Sequence, residues 1–163
     1  MSLNISLLDK VMAIIENEVN TTKRWKQTSW RAFNPKAKTK HDDQRCKTSM
    51  CFAGWTVEAS GRKWLYTAVE LVELAKQGNP VSVNRYDMVI AKPGDSDEIF
   101  GFQQVTKYLP DGTSVSVEVT TARIAAINEL GLSFDQAHEL FEAHNKRPTL
   151  RRLILKFKND EHA

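Results

Sequence analysis

A chain of 163 residues with 23 basic and 20 acidic side chains, 41% of it hydrophobic and 26% charged, has the size and apolar content of one ordinary folded domain. Seven glycines and five prolines are too few for a low-complexity linker protein, and no run of about eighteen apolar residues is present to span a bilayer. The two cysteines, Cys46 and Cys51, make no disulfide framework and fit a reduced, cytoplasmic setting.

The first twenty residues thread acidic and amide side chains through apolar positions, without the basic start and solid apolar core of a signal peptide, so secretion is not expected. Ile5, Leu8, Met12, Ile15 and Val19 recur every three or four residues and predict an amphipathic helix over 1–20. Residues 21–47 carry no sustained period and many cations, yet hold Trp25, Trp30 and Phe33, which predicts an irregular segment pinned by aromatics. A second helix is expected to start at Thr48 or Ser49 and to end before Ser60-Gly61; a third, Thr67 to Gln77, stops at Gly78-Asn79-Pro80.

The period then changes. Tyr86–Ala91, Phe100–Leu109 and Thr113–Val119 are strand candidates, separated by the turn signals Lys92-Pro93-Gly94-Asp95 and Pro110-Asp111-Gly112. Val115, Val117 and Val119 alternate with Ser114, Ser116 and Glu118, so one face should be buried and the other wet. Three helices close the chain. Thr121 to Leu130 ends at Gly131; Ser133 and Gln136 form a capping box for Phe134 to His144; and Thr149 to Lys158 aligns Leu150, Leu153, Ile154 and Phe157. The expected architecture is α+β: a mostly helical single domain with a small antiparallel hairpin or meander. Its parts are an N-terminal helix (1–20), a basic irregular segment (21–47), helices (48–77), a β-hairpin region (86–119) and three C-terminal helices (120–158).

The net charge of +3 conceals a segregation: residues 23–47 hold nine Lys and Arg against Asp42 and Asp43, and residues 146–158 hold six with no acid. Such segments either gather an anionic partner on one surface or solvate a loop and a helix face and offset acidic neighbours in the fold.

Three groups of residues bear on chemistry. Cys51, at a helix start with Lys47 nearby, stands where unpaired N–H groups favour a thiolate; the alternative is a small buried hydrophobe one turn before Trp55. His41, Cys46 and Cys51 offer three zinc ligands, but a structural site takes four and no C-x2-4-C pair is present, so no obligatory metal is expected. Leu130-Gly131-Leu132-Ser133 with Gln136-Ala137 and Leu140 looks like the turn and second helix of helix-turn-helix proteins. That helix carries Asp135, Glu139 and Glu142 with no cation before Lys146, which opposes a base-reading role. No Gly-rich phosphate loop, paired-carboxylate signature or His-Glu-x-x-His motif occurs, and no cofactor is expected.

Taken in order, Trp25-Lys26-Gln27-Thr28-Ser29-Trp30-Arg31, then Cys46 with Cys51-Phe52-Ala53-Gly54-Trp55, then Leu130-Gly131-Leu132-Ser133 with Gln136-Ala137, Leu140-Phe141 and Asn145 form a recognisable series. It resembles small uncharacterised proteins of actinobacterial phages that share W-x-Q-x-x-W-R, C-x-A-G-W and L-G-L-(S/T)-x-x-Q-A-x-x-L-F elements. The resemblance covers roughly Trp25 to Leu153, and the Lys92 to Val119 hairpin looks like an insertion relative to shorter members. It implies a phage accessory protein made in the cytoplasm of the bacterial host, and it brings no activity or catalytic residue with it.

The function expected is a non-enzymatic module that binds a host bacterial protein, with Arg24, Trp25, Lys26, Trp30 and Arg31 offered as interface residues because Arg and Trp are enriched among interface anchors. The alternative for both tryptophans is a core anchor. A nucleic-acid-binding accessory protein using segments 23–47 and 146–158 stands second, with the two tryptophans available for stacking. A cysteine-dependent enzyme using Cys51 stands third.

Overall fold

Asn4, Thr67, Thr121 and Ser133 each open a helix with a side-chain cap, whereas the N-caps Cys51 and Lys146 make no such bond. Asn4 Oδ1 accepts from the Leu7 N–H at 3.1 Å and opens α1, Ile5–Ala13, which buries Leu7, Leu8, Val11 and Met12. One turn of π-helix, Ile14–Glu18, continues it and buries Ile15. The computed structural model describes residues 2–18, 31–33, 48–95 and 103–162. Val19, Phe100 and most of the basic segment lie outside them.

The irregular segment contributes a strand that its sequence does not announce. Ala32–Phe33 (β1) pairs antiparallel with Thr48–Ser49 (β2), Ala32 opposite Ser49 and Phe33 opposite Thr48. Thr48 and Ser49 are therefore spent on pairing rather than capping, and Cys51 becomes the N-cap of α2, Phe52–Ala59. Phe52 through Val57 are all buried, because α2 packs between α1 and the helix that follows the sheet. The small residues Ala53 and Gly54 sit within that buried run.

Thr67 and Glu70 cap α3, Ala68–Lys76, reciprocally: Thr67 Oγ1 accepts from the Glu70 N–H at 3.1 Å, and Glu70 Oε1 accepts from the Thr67 N–H at 2.9 Å. A 3-10 turn, Val83–Arg85, leads into β3, Met88–Ile90, followed by β4, Gln103–Tyr108, and β5, Ser114–Thr121. β4 and β5 form the expected hairpin. The strand order is β3-β5-β4, all antiparallel, so β5 is central and the sheet is not a simple meander, in which β4 would be central. Burial fades along β5 toward the turn: Val119 is 2% exposed and Val115 45%. The alternation is present, and only its C-terminal half lies under cover.

β5 runs directly into α4, Ala122–Leu130, which ends at Gly131 with φ +68°. A Cβ built on Gly131 would stand 2.1 Å from the Ser2 carbonyl oxygen, so glycine is required there both for the backbone and for the approach of the N-terminal strand of chain. The Ser133–Gln136 capping box opens α5, Phe134–Leu140. This helix stops short of His144, and the Asn145 side chain donates to the Glu139 and Leu140 carbonyls at 2.7 and 3.1 Å. α6, Arg147–Glu161, carries Pro148 in its first turn and buries Leu150, Leu153, Ile154 and Phe157.

Two apolar clusters result. The larger joins α1, α2, α4, α5 and α6, with Trp64 and Val89 at its edge. The smaller holds α3 on the sheet through Leu65, Tyr66, Leu71, Leu74 and Val119. The molecule is a helix-rich α+β domain, and among the described residues no helix is long and apolar enough to cross a membrane.

Candidate binding groove

The edge of the sheet builds an open concavity. Leu109 N donates to Thr113 O at 2.8 Å, so by antiparallel alternation Thr106 and Tyr108 turn their backbone groups away from β5. Both find side chains from the α3 side. The Tyr108 N–H donates to Tyr66 Oη at 3.0 Å, and Arg85 Nη1 donates to the Thr106 carbonyl at 3.1 Å. Gln77 Nε2 adds a bond to the Pro110 carbonyl at 2.8 Å. Tyr66 is fixed in place because its ring belongs to the smaller core, 2% exposed.

These three bonds hold the end of α3 and the loop behind it against the hairpin, leaving a groove of about 520 Å³. Tyr66, Leu74, Val81, Tyr108 and Leu109 supply its apolar and aromatic walls, with Asn79, Ser82 and Thr113 as polar neighbours. Tyr108 is 63% exposed and stands at the rim. Arg85 is the one charged residue that lines the groove, and it makes no ion pair with any described residue. Lys107 is occupied elsewhere, paired with Glu70 at 2.9 Å with its ammonium 5.4 Å from the Tyr66 ring centre. Burial alone would push the Glu70 carboxyl up; the Thr67 amide and Lys107 outweigh it and hold the group below the usual carboxylate range.

The residues singled out from sequence fall differently. Arg31 is not an exposed interface cation: it is buried, with Nη1 donating to the Tyr66 and Tyr86 carbonyls at 2.7 and 3.2 Å. Its guanidinium carbon lies 4.6 Å from the centre of the Trp64 ring, whose Nε1 donates to Glu58 Oε2 at 2.8 Å. Burial lowers the Arg31 pKa to about 10, with Glu58 pulling the other way, so it remains a cation at neutral pH. Arg24, Trp25, Lys26 and Trp30 lie outside the described residues.

Cys51 is 2% exposed, and burial pushes its thiol up to about 11. The N–H groups of Gly54, Ala53 and Cys51 itself favour the thiolate as the sequence suggests, but desolvation exceeds them and the Asp87 charge adds to it. The site therefore holds a neutral thiol at physiological pH. His41 and Cys46 lie outside the described residues, and among the described ones no three His, Cys, Asp or Glu side chains group to hold a metal ion. On the C-terminal basic stretch, Arg151 pairs with Glu16 at 2.7 Å, Lys156 with Glu139 at 3.1 Å and Lys158 with Asp9 at 2.6 Å. Half of its six cations thus offset acids of α1, of the π-helical turn that continues it and of α5.

Sequence reasoning passed over Arg85, Tyr66 and Tyr108. One signal was available: Arg85 is the only cation between Gly78 and Ala91, an isolated charge just ahead of a strand. Comparison with known proteins finds no matching family model, no matching curated sequence and no matching solved structure.

Proposed function

We propose that the chain is a phage accessory protein that works in the cytoplasm of the bacterial host as a non-enzymatic module binding a host protein. The observation that carries the binding reading is Arg85: a half-buried arginine whose guanidinium makes one backbone bond and has no acidic partner among the described residues, in a groove that Tyr66 and Tyr108 also line. Arginine and tyrosine in a partly desolvated concavity are the residues on which interface energy concentrates.

Arg31, the last residue of the W-x-Q-x-x-W-R element, bonds to residues beside the groove. Its bonds go to Tyr66, which lines the groove, and to Tyr86, the neighbour of Arg85 in the chain. In this reading Arg24, Trp25, Lys26 and Trp30 remain the proposed contact residues.

The test is affinity capture from host lysate, with and without nuclease, using the wild type and a folded Arg85→Glu variant. A host protein retained after nuclease and lost by the variant is the expected result. Capture that vanishes with nuclease would instead support a nucleic-acid partner. Because Arg151, Lys156 and Lys158 are already ion-paired, that partner would rest mainly on segment 23–47.

A further inference from the structure

We infer that the groove between α3 and the β4–β5 hairpin takes a carboxylate carried next to an apolar or aromatic group, presented by a peptide segment of the partner. This rests on the protein-binding reading and names the chemistry that its groove would recognise.

The charge comes first. Arg85 Nη1 donates to the Thr106 carbonyl, while Nε and Nη2 donate to no described residue. A planar fork with two unused donor positions matches the two oxygens of a carboxylate. A phosphate fits the same fork, but it brings about two negative charges and is usually met by a cluster of arginines. One cation, with no second among the lining residues, matches a monoanion.

The walls set the rest. Tyr108 offers an exposed ring and Val81 and Leu109 half-buried aliphatic surface, so the group attached to the carboxylate gains by being apolar. The mode of recognition is also constrained. A partner strand would need the outward backbone groups of β4, yet the Tyr108 N–H and the Thr106 carbonyl are already taken by Tyr66 and Arg85. Addition of a strand along this stretch is therefore blocked, and recognition falls to a side chain or a chain terminus entering the groove.

The experiment is a titration of the ¹⁵N-labelled full chain, followed by amide shifts. The probes are 3-phenylpropionate, its uncharged analogue 3-phenylpropanamide, phenyl phosphate, and the blocked peptide acetyl-Gly-Phe-Glu-Gly-amide. We expect 3-phenylpropionate to shift the amides of 79–85 and 108–113 in a saturable way, with the amide analogue at least about tenfold weaker. Arg85→Gln, checked by unchanged shifts elsewhere, should weaken the carboxylate by a similar factor and leave the amide analogue unaffected. The peptide should shift the same residues and displace 3-phenylpropionate.

Equal binding of the acid and the amide, no saturable shift in the groove, or an unchanged affinity in Arg85→Gln would overturn the assignment. Phenyl phosphate binding more tightly than the carboxylate would overturn the ligand class. A fragment that binds while the peptide does not would overturn the peptide source and leave a small free acid as the ligand. Failure of the protein-binding reading looks different: the probes would bind the groove and no host protein would be captured.

Discussion

Asp95 accepts from both terminal nitrogens of Arg62, Oδ1 from Nη1 at 3.0 Å and Oδ2 from Nη2 at 2.7 Å, with the two side chains 0% and 5% exposed. The carboxylate also accepts from Asn128 Nδ2 at 3.0 Å and the Lys92 N–H at 3.1 Å, while Arg62 reaches Glu129 and the Ile90 carbonyl. Lys92 pairs with Glu129 in turn. The cluster thus ties the end of α2 to the loop after β3 and to α4. Removing one partner strands a buried charge, which costs far more than the pair contributes in total. Arg62→Met is expected to lose about 3–5 kcal/mol in urea denaturation. A double variant, Arg62→Met with Asp95→Leu, should recover part of that loss.

The same carboxylate predicts an acid limb. Burial would raise the Asp95 pKa, but the bonds from Arg62, Lys92 and Asn128 outweigh it and hold the group below its ordinary value. A lowered folded pKa gives stability that is present above the unfolded value, near pH 4, and is lost as pH falls through the folded one. Glu70 acts in the same direction. Urea midpoints should therefore drop below about pH 4, and an Asp95→Asn variant should show a flatter drop.

Cys51 predicts the opposite limb. Its folded pKa of about 11 lies above the unfolded value, so its contribution is complete below the unfolded pKa and disappears as pH rises through the folded one. In a Cys46→Ser background, thiol labelling of the native protein at pH 8 should be slow and should track unfolding. Trp55, one turn later and 5% exposed, should cost about 3–5 kcal/mol when changed to alanine. Rapid native labelling together with an unchanged melting temperature for Trp55→Ala would refute the packing role of this motif.

Gly131→Ala should destabilise by more than the roughly 1–2 kcal/mol of a left-handed residue with a Cβ, because the added atom also meets the Ser2 carbonyl. Truncating residues 1–3 removes that obstacle. The penalty of Gly131→Ala, measured by thermal denaturation, should therefore shrink toward the backbone value in the truncated chain.

Local chemistry carried the helices. Thr67 with Glu70 and Ser133 with Gln136 cap as their spacing indicates, and Gly131 ends α4, because capping and left-handed turns are settled within four residues. The features that escaped are long-range. Thr48 and Ser49 look like caps until Ala32 and Phe33 arrive as strand partners, and the central place of β5 depends on which strands meet its two edges. Arg31, beside a tryptophan in a basic run, reads as solvated; it is buried because two carbonyls and the Trp64 ring, at least 33 residues later in the chain, receive it. The groove was invisible for the same reason, since 66–85 and 108–113 meet only in the folded chain.

The most direct measurement is capture from one nuclease-treated host lysate by four folded baits: the wild type, Arg85→Glu, the pair Arg24→Ala with Lys26→Ala, and the pair Asp135→Ala with Glu142→Ala. The expected result is the same host protein on the wild type and on the Asp135 and Glu142 variant, its loss from Arg85→Glu, and a reduced yield from the Arg24 and Lys26 variant. Equal yield from all four baits, or no protein held once nucleic acid is digested, would contradict it.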